Sequence, residues 1–193
     1  MTTDAGTRPS QLGDGRMVVA LRAATPDDDA HLLAVYWGTR EDELAQTDWD
    51  DAQKQAFVEQ QFRAQDTYYR ATYAHASYDV ILVNGQPAGR LYTARWPDEI
   101  RIMDIALLAP FRGRGIGTYL LSNLQREVAD AGKVLRIHVE RFNPALALYV
   151  RLGFRLVEDR GVYLFLEWSP PNGAAASAAT SATTSGTQEK TAS

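Results

Sequence analysis

Arg112-Gly113-Arg114-Gly115-Ile116-Gly117-Thr118 is the stretch on which the fold turns. Upstream of it, Glu99 to Leu107 reads as a strand. Downstream, Ile116, Tyr119, Leu120, Leu124 and Val128 recur at helical spacing from Gly115 to Ala131, and Gly132 ends the run. The stretch therefore joins a strand to a helix. The first N–H groups of a helix have no internal partner, and the helix dipole adds partial positive charge there, so an anion is favoured. Glycines let the amides approach a phosphate without a Cβ in the way, and Arg112 and Arg114 add charge. On this stretch alone a tight turn with solvated arginines stays open. Two other phosphate motifs fail: Gly-Lys-Ser/Thr is missing, and Thr118 stands where a dinucleotide fingerprint needs its third glycine.

Working outward, Met17 to Ala23 reads as a first strand. Thr25-Pro26-Asp27 is a helix start, with Leu32, Leu33 and Tyr36 on one face of the helix that follows. Asp48 is a candidate cap for a second, long helix from Trp49 past Phe62. From Tyr78 the texture changes. Val80 to Val83, Asn84-Gly85 and Ala88 to Arg95 read as a hairpin, and Trp96-Pro97-Asp98 turns into the strand that precedes the glycine-rich stretch. Beyond the central helix come a strand from Val134 to Glu140, a short helix from Pro144 to Leu152, and two strands, Phe154 to Val157 and Gly161 to Trp168. The order predicts an α/β (α+β) single domain over residues 16–168: a mixed, mostly antiparallel sheet of about seven strands with one parallel crossover. Residues 1–15, and the Ala/Ser/Thr-rich tail 169–193, carry little to bury and are expected to be disordered.

Composition narrows the function. The chain has 193 residues and a formal net charge of -4, so nothing favours a nucleic-acid partner. Apolar runs are too short for a bilayer and no charged-then-apolar leader opens the sequence. Cysteine is absent, which fits a cytoplasmic location and removes any thiol nucleophile that would carry an acyl group. The three histidines, His31, His75 and His138, are widely spaced, and no metal site is expected.

Two segments together resemble the GNAT superfamily of acyl-CoA-dependent N-acyltransferases. Asp104-Ile105-Ala106-Leu107-Leu108 followed by Arg112-x-x-Gly115-x-Gly117 is similar to the family's fourth strand and pyrophosphate loop. Asn143-Pro144-Ala145-Leu146-Ala147-Leu148-Tyr149, then Leu152-Gly153-Phe154, is similar to its second CoA-side element. The resemblance covers about residues 17–168. It implies helices on both faces of the sheet and a splay between the fourth and fifth strands, with the thioester of acetyl-CoA in the gap. It further implies that backbone groups of Ile105, Ala106 and Leu107 pair with the pantetheine arm, that Arg112, Gly113, Arg114, Gly115, Ile116, Gly117 and Thr118 hold the pyrophosphate, and that Asn143 binds the arm from the other side.

The implied reaction moves an acetyl group from acetyl-CoA directly to a primary amine, on a small molecule or a protein. It needs a proton removed from the amine, a donor for the oxyanion, and an acid for the departing thiolate. The resemblance places Tyr149 near the sulfur as that acid; packing beside Ala145, Leu148 and Leu152 is its ordinary reading. Fourth-strand positions that carry a base in some members hold Arg101 and Met103, neither of them a base. His138 on the fifth strand falls where other members carry a catalytic glutamate, and a histidine titrates near neutrality. Its ordinary reading is a sheet histidine beside Arg136 and Glu140. Asp104 is the rival base: alternation sets it with Ile100, Ile102 and Ala106, where a hydrogen-bonding structural role is the other reading. Acceptor recognition would fall to the first two helices, where the acid run Glu41-Asp42-Glu43 suits a cationic amine or is simply a solvated surface. A non-catalytic CoA-binding regulatory module is the alternative. Monomer and homodimer are both compatible with the sequence.

Overall fold

A computed structural model describes residues 10–12 and 17–171. Most of the two expected disordered ends, 1–15 and 169–193, lies outside the described residues. Within the first, Ser10–Leu12 (β1) pairs antiparallel with Met17–Ala23 (β2) and adds a short edge strand that the sequence reading did not include. Three residues are too few for a periodic signal, and the free edge of β2 supplies the pairing.

The remaining strands are β3 (Ser77–Val83), β4 (Gln86–Arg95), β5 (Glu99–Leu107), β6 (Val134–Glu140), β7 (Arg155–Arg160) and β8 (Tyr163–Trp168). They form one sheet in the order β1-β2-β3-β4-β5-β6-β8-β7, with β5–β6 the single parallel pair among the described residues. The seven expected strands and the one parallel crossover are all there. Asn84 and Gly85 turn β3 into β4 with φ of 51° and 81°, the positive pair that a two-residue hairpin demands.

Among the described residues, five α-helices flank the sheet: α1 (Asp29–Trp37), α2 (Glu41–Leu44), α3 (Asp51–Thr72), α4 (Ile116–Asp130) and α5 (Leu146–Arg151). The long helix starts later than expected. Asp50, not Asp48, caps it: its carboxylate accepts from the Gln53 amide at 2.8 Å, and the Gln53 side chain accepts from the Asp50 amide at 3.0 Å. The one-turn helix α2 was not anticipated. Two apolar layers result. Helices α4 and α5 pack on Ile81, Leu91, Ile100, Ile102, Leu135 and Ile137, while Leu32, Tyr36, Leu44, Val58 and Phe62 of α1–α3 pack on Val80.

One irregularity shapes the centre of the sheet. Tyr92 pairs with Asp104 and Thr93 with Ile102, so Met103 is an extra residue in β5. Such a bulge bends its strand and strengthens its twist. Strand β5 pairs with β6 only from Glu99↔Val134 to Ile102↔Ile137. Past Met103, β5 stays with β4 as far as Leu107↔Gly89, and β6 stays with β8 as far as Glu140↔Tyr163. The two central strands part, and the sheet is splayed there.

The contact that keeps the last residues of β5 on β4 tolerates no side chain at Gly89. A Cβ there would lie 2.2 Å from the Ala106 carbonyl oxygen and 2.9 Å from Leu107 Cδ2. Gly89→Ala is expected to cost about 1–3 kcal/mol, as overpacking does, read as a lower midpoint in thermal or urea unfolding. A wild-type midpoint would mean that this end of β5 shifts freely.

Candidate active site

The glycine-rich loop leads into α4 with Gly113 and Gly115 both left-handed, at φ of 72° and 80°. Gly115 is the residue that caps the helix. Among the described residues, no protein group accepts from the amides of Gly113 through Thr118; the first amide that finds one is Tyr119, bonded to the Gly115 carbonyl at 2.9 Å. A row of unpartnered amides at the start of a 15-residue helix suits an anionic group such as a pyrophosphate. At Gly117 a Cβ would come within 3.3 Å of Leu148 Cδ2, so this glycine also lets α5 lie against α4.

The two arginines of the loop behave differently. Arg114 is exposed, forms no ion pair among the described residues, and lies 5.9 Å from the Phe111 ring. Arg112 is engaged: its Nε donates to the Leu107 carbonyl and its Nη2 to the Gly38 carbonyl, each at 2.8 Å. It ties the end of β5 to the end of α1, a structural duty that the sequence did not reveal.

Where β5 and β6 part, a cleft of ≈ 210 Å³ opens. Its walls are Met103 to Ala106 of β5 and Ile137 to Glu140 of β6, with Asn143 and Tyr149 beyond them and Tyr36, Arg40 and Tyr69 from the helical layer. Among the described residues, the β5 edge that faces the gap has no strand partner from Met103 onward. Asn143 opens α5 by accepting from the Ala145 amide at 2.8 Å through Oδ1, which leaves its side-chain NH₂ to donate. Tyr149 is buried, its ring edge-on to Phe154 at 5.5 Å. Its hydroxyl has no hydrogen-bond partner among the described residues. Burial first, and then the charge of Asp104, raise its pKa, so the phenol stays protonated at neutral pH.

His138 is half-buried and stacks on Phe165 at 4.5 Å. Arg160 Nη1 lies 3.4 Å from its Nε2. Burial, then the charges of Arg101 and Arg160, lower its pKa, so the ring is neutral over a wider pH range than a free imidazole.

Asp104 is not on the face that alternation assigned. The bulge at Met103 flips the parity of β5: Ile100 and Ile102 belong to the α4 layer, and so do Ile105 and Leu107, while Asp104 turns to the opposite face. There its carboxylate accepts from Arg90 Nη2 at 2.5 Å. Arg90 is 1% exposed, bonds Gln65 at 3.0 Å, and lies over the Tyr36 and Tyr92 rings at 5.4 and 5.2 Å. Tyr69 donates to the carbonyl of Met103 at 3.2 Å, on the bulge itself. The sequence reading does not single out Arg90 or Gln65. The signal that points to Arg90 is Asp104 itself, since a carboxylate inside a sheet calls for a cation.

The sequence model of the Acetyltransferase (GNAT) family matches residues 33–154. No curated protein matches the chain. Among solved structures, the chain is similar to the PaiA N-acetyltransferase of Thermoplasma acidophilum in complex with coenzyme A, at 13% identity and a TM-score of 0.61, over 79% of this chain and 99% of that one. An acetyltransferase of Thermus thermophilus is similar at 21% identity and a TM-score of 0.58, over 79% of this chain and 97% of that one. A GNAT-family acetyltransferase of Listeria monocytogenes is similar at 16% identity and a TM-score of 0.56, over 83% of this chain and 100% of that one. At these identities the likeness is one of fold.

Asp104→Asn would leave the Arg90 guanidinium buried without a counter-ion. Breaking a buried pair in this way is expected to cost about 3–5 kcal/mol, measured by urea unfolding. Replacing both partners at once with apolar side chains of similar volume should recover much of that loss. Equal losses in the single and double variants would show that the pair is not coupled.

Proposed function

Since the chain belongs to the acetyltransferase (GNAT) family, acetyl-CoA-dependent N-acetyltransferases, we propose that it passes acetyl directly from acetyl-CoA to a primary amine in the cleft between β5 and β6. One observation carries the reading: an unpaired strand edge and a buried tyrosine line one gap, and the same strand runs on through Leu107 toward a row of amides left free at a helix start. No helix among the described residues is long and apolar enough to cross a membrane.

In this reading the free edge of Ile105, Ala106 and Leu107 pairs with the pantetheine arm, as an added strand would. The amides from Gly113 to Thr118 take the pyrophosphate, with Arg114 as the available cation and Arg112 holding the loop to β5 and α1. The Asn143 side chain donates to the arm from the β6 side. Attack of the neutral amine on the thioester carbon forms a C–N bond and an oxyanion, which a β5 backbone N–H stabilises. The C–S bond then breaks, and the thiolate takes up a hydrogen bond, and finally a proton, from the Tyr149 hydroxyl. His138, neutral and at the cleft wall, removes the proton that the amine loses. Asp104 serves as the counter-ion of Arg90 and leaves proton removal to His138.

An acceptor screen with acetyl-CoA, read by release of free CoA, tests the activity and identifies the amine. Gly115→Glu adds bulk and negative charge where the pyrophosphate belongs. It should abolish CoA binding in calorimetry while the fold persists, and unchanged affinity would remove the loop from the site.

Tyr149→Phe keeps the ring and its packing. CoA affinity should stay near wild type while turnover falls about 10²–10⁴-fold, the usual range for one general acid. Turnover at the wild-type rate, with chemistry limiting, refutes the role. Because the lowered pKa of His138 means that the active, neutral form prevails as pH rises, activity should climb with pH and level off below the range of an ordinary imidazole. His138→Gln should flatten that limb without changing CoA affinity. A pH profile unaltered by the substitution would return proton removal to Asp104 or to water.

A further inference from the structure

Among the described residues, helix α4 covers β5 and β6 but leaves part of the sheet beside it uncovered. Between α4 and the same face of β2, β3 and β4 lies a second cavity, of ≈ 720 Å³. That size falls within the range of small-molecule sites. Much of its wall is apolar, with Val19, Leu21, Leu91 and Leu120 among its residues. It shares none of its residues with the cleft between β5 and β6.

Asp79 of β3 lines this cavity, half-buried, opposite Ala23 on one side and Leu91 on the other. Neither neighbour is polar. Elsewhere in the described sheet every strand carboxylate is met by an arginine. Asp104 has Arg90. Glu99 has Arg101 and Arg136, and Glu167 has Arg136. Glu140 has Arg40, Glu158 has Arg160, and Asp159 has Arg141. Asp79 has no ion pair and no hydrogen bond among the described residues.

The two cations at this cavity are committed elsewhere. Arg95 grips Glu127 through Nε and Nη2, at 2.7 and 3.1 Å, and gives Nη1 to Thr93 at 2.7 Å. Arg22 grips Asp28 at 2.7 and 2.6 Å. The pairs cancel, and one negative charge is left in a cavity that also carries Ser77, Thr93 and Asn123 beside its apolar residues. Burial raises the Asp79 pKa, which the charge of Arg95 opposes, so the carboxylate is held at a cost that a cation would relieve. A lone carboxylate offers too few ligands for a metal ion, and it repels anions. An ammonium group satisfies it while an attached hydrocarbon covers the wall.

We propose that this cavity is a second ligand site, one for a small alkyl- or arylammonium ion, with its charge on Asp79 and its apolar body against Val19, Leu21, Leu91 and Leu120. The inference does not rest on acetyl transfer. Calorimetry on the full chain with hexylammonium as the probe, and hexanol and hexanoate as neutral and anionic counterparts, tests it. Hexylammonium should bind at least roughly 10-fold tighter than hexanol, the weight of one charge-assisted hydrogen bond, and hexanoate should not bind. Asp79→Asn should erase that preference, and Asn123→Trp, which fills the cavity from α4, should remove binding of either probe. Glu140→Gln, in the other cleft, should change neither. Wild-type affinity for hexylammonium in folded Asp79→Asn or in Asn123→Trp overturns the proposal. So does loss of binding in Glu140→Gln, which would put the amine in the cleft between β5 and β6.

Discussion

The extra residue at Met103 is the constraint on which the rest of the structure depends. A two-residue period cannot pass through a bulge unchanged. Before it, Ile100 and Ile102 face α4; after it, Ile105 and Leu107 do. The shift keeps both halves of β5 in the same apolar layer while the strand leaves β6. It turns Asp104 toward the side covered by α1 and α3. The extra residue sits where the β5–β6 pairing ends, at the start of the gap proposed to hold the thioester.

That arrangement puts a charge where the sheet is covered, and the structure answers it locally. Arg90 stands nearly across from Asp104 on β4, and the two are taken out of water together. Desolvation of such a pair offsets much of its attraction, so the pair is weak evidence for stability but strong evidence for a fixed geometry. The Tyr36 and Tyr92 rings flank the guanidinium, Gln65 accepts a hydrogen bond from it, and Tyr69 donates one to the Met103 carbonyl. Helices α1 and α3 thereby act on the shape of β5.

The loop is tied to the same frame from the other direction. Arg112 joins Leu107 at the end of β5 to Gly38 at the end of α1. Gly117 lets α5 approach α4, which sets Tyr149 beside the gap. The groups proposed to hold the two ends of CoA are therefore positioned by one set of contacts.

The elements were legible because they depend on local chemistry. The α4 periodicity, the Asn84-Gly85 hairpin and the glycine-rich loop each follow from the conformations that those residues favour, and their order along the chain limited the sheet to one parallel crossover. The resemblance around Asp104–Thr118 and Asn143–Phe154 carried the family, and it directed attention to Tyr149 and His138, which do line one cleft. What the sequence could not supply is whatever depends on pairs far apart in the chain. The bulge exists only as a mismatch between β4 and β5, so simple alternation put Asp104 on the wrong face. Arg112 reads as a phosphate ligand until its reach to Gly38 is seen. The start of α3 is a different kind of miss: the capping box Asp50-x-x-Gln53 spans only four residues and is legible locally, but the sequence reading names Asp48. Asp79 reads as any strand acid until the arginines around it are counted and found engaged. Local propensity acts between neighbours in sequence; burial and charge pairing act between neighbours in space, and only the folded chain decides who those are.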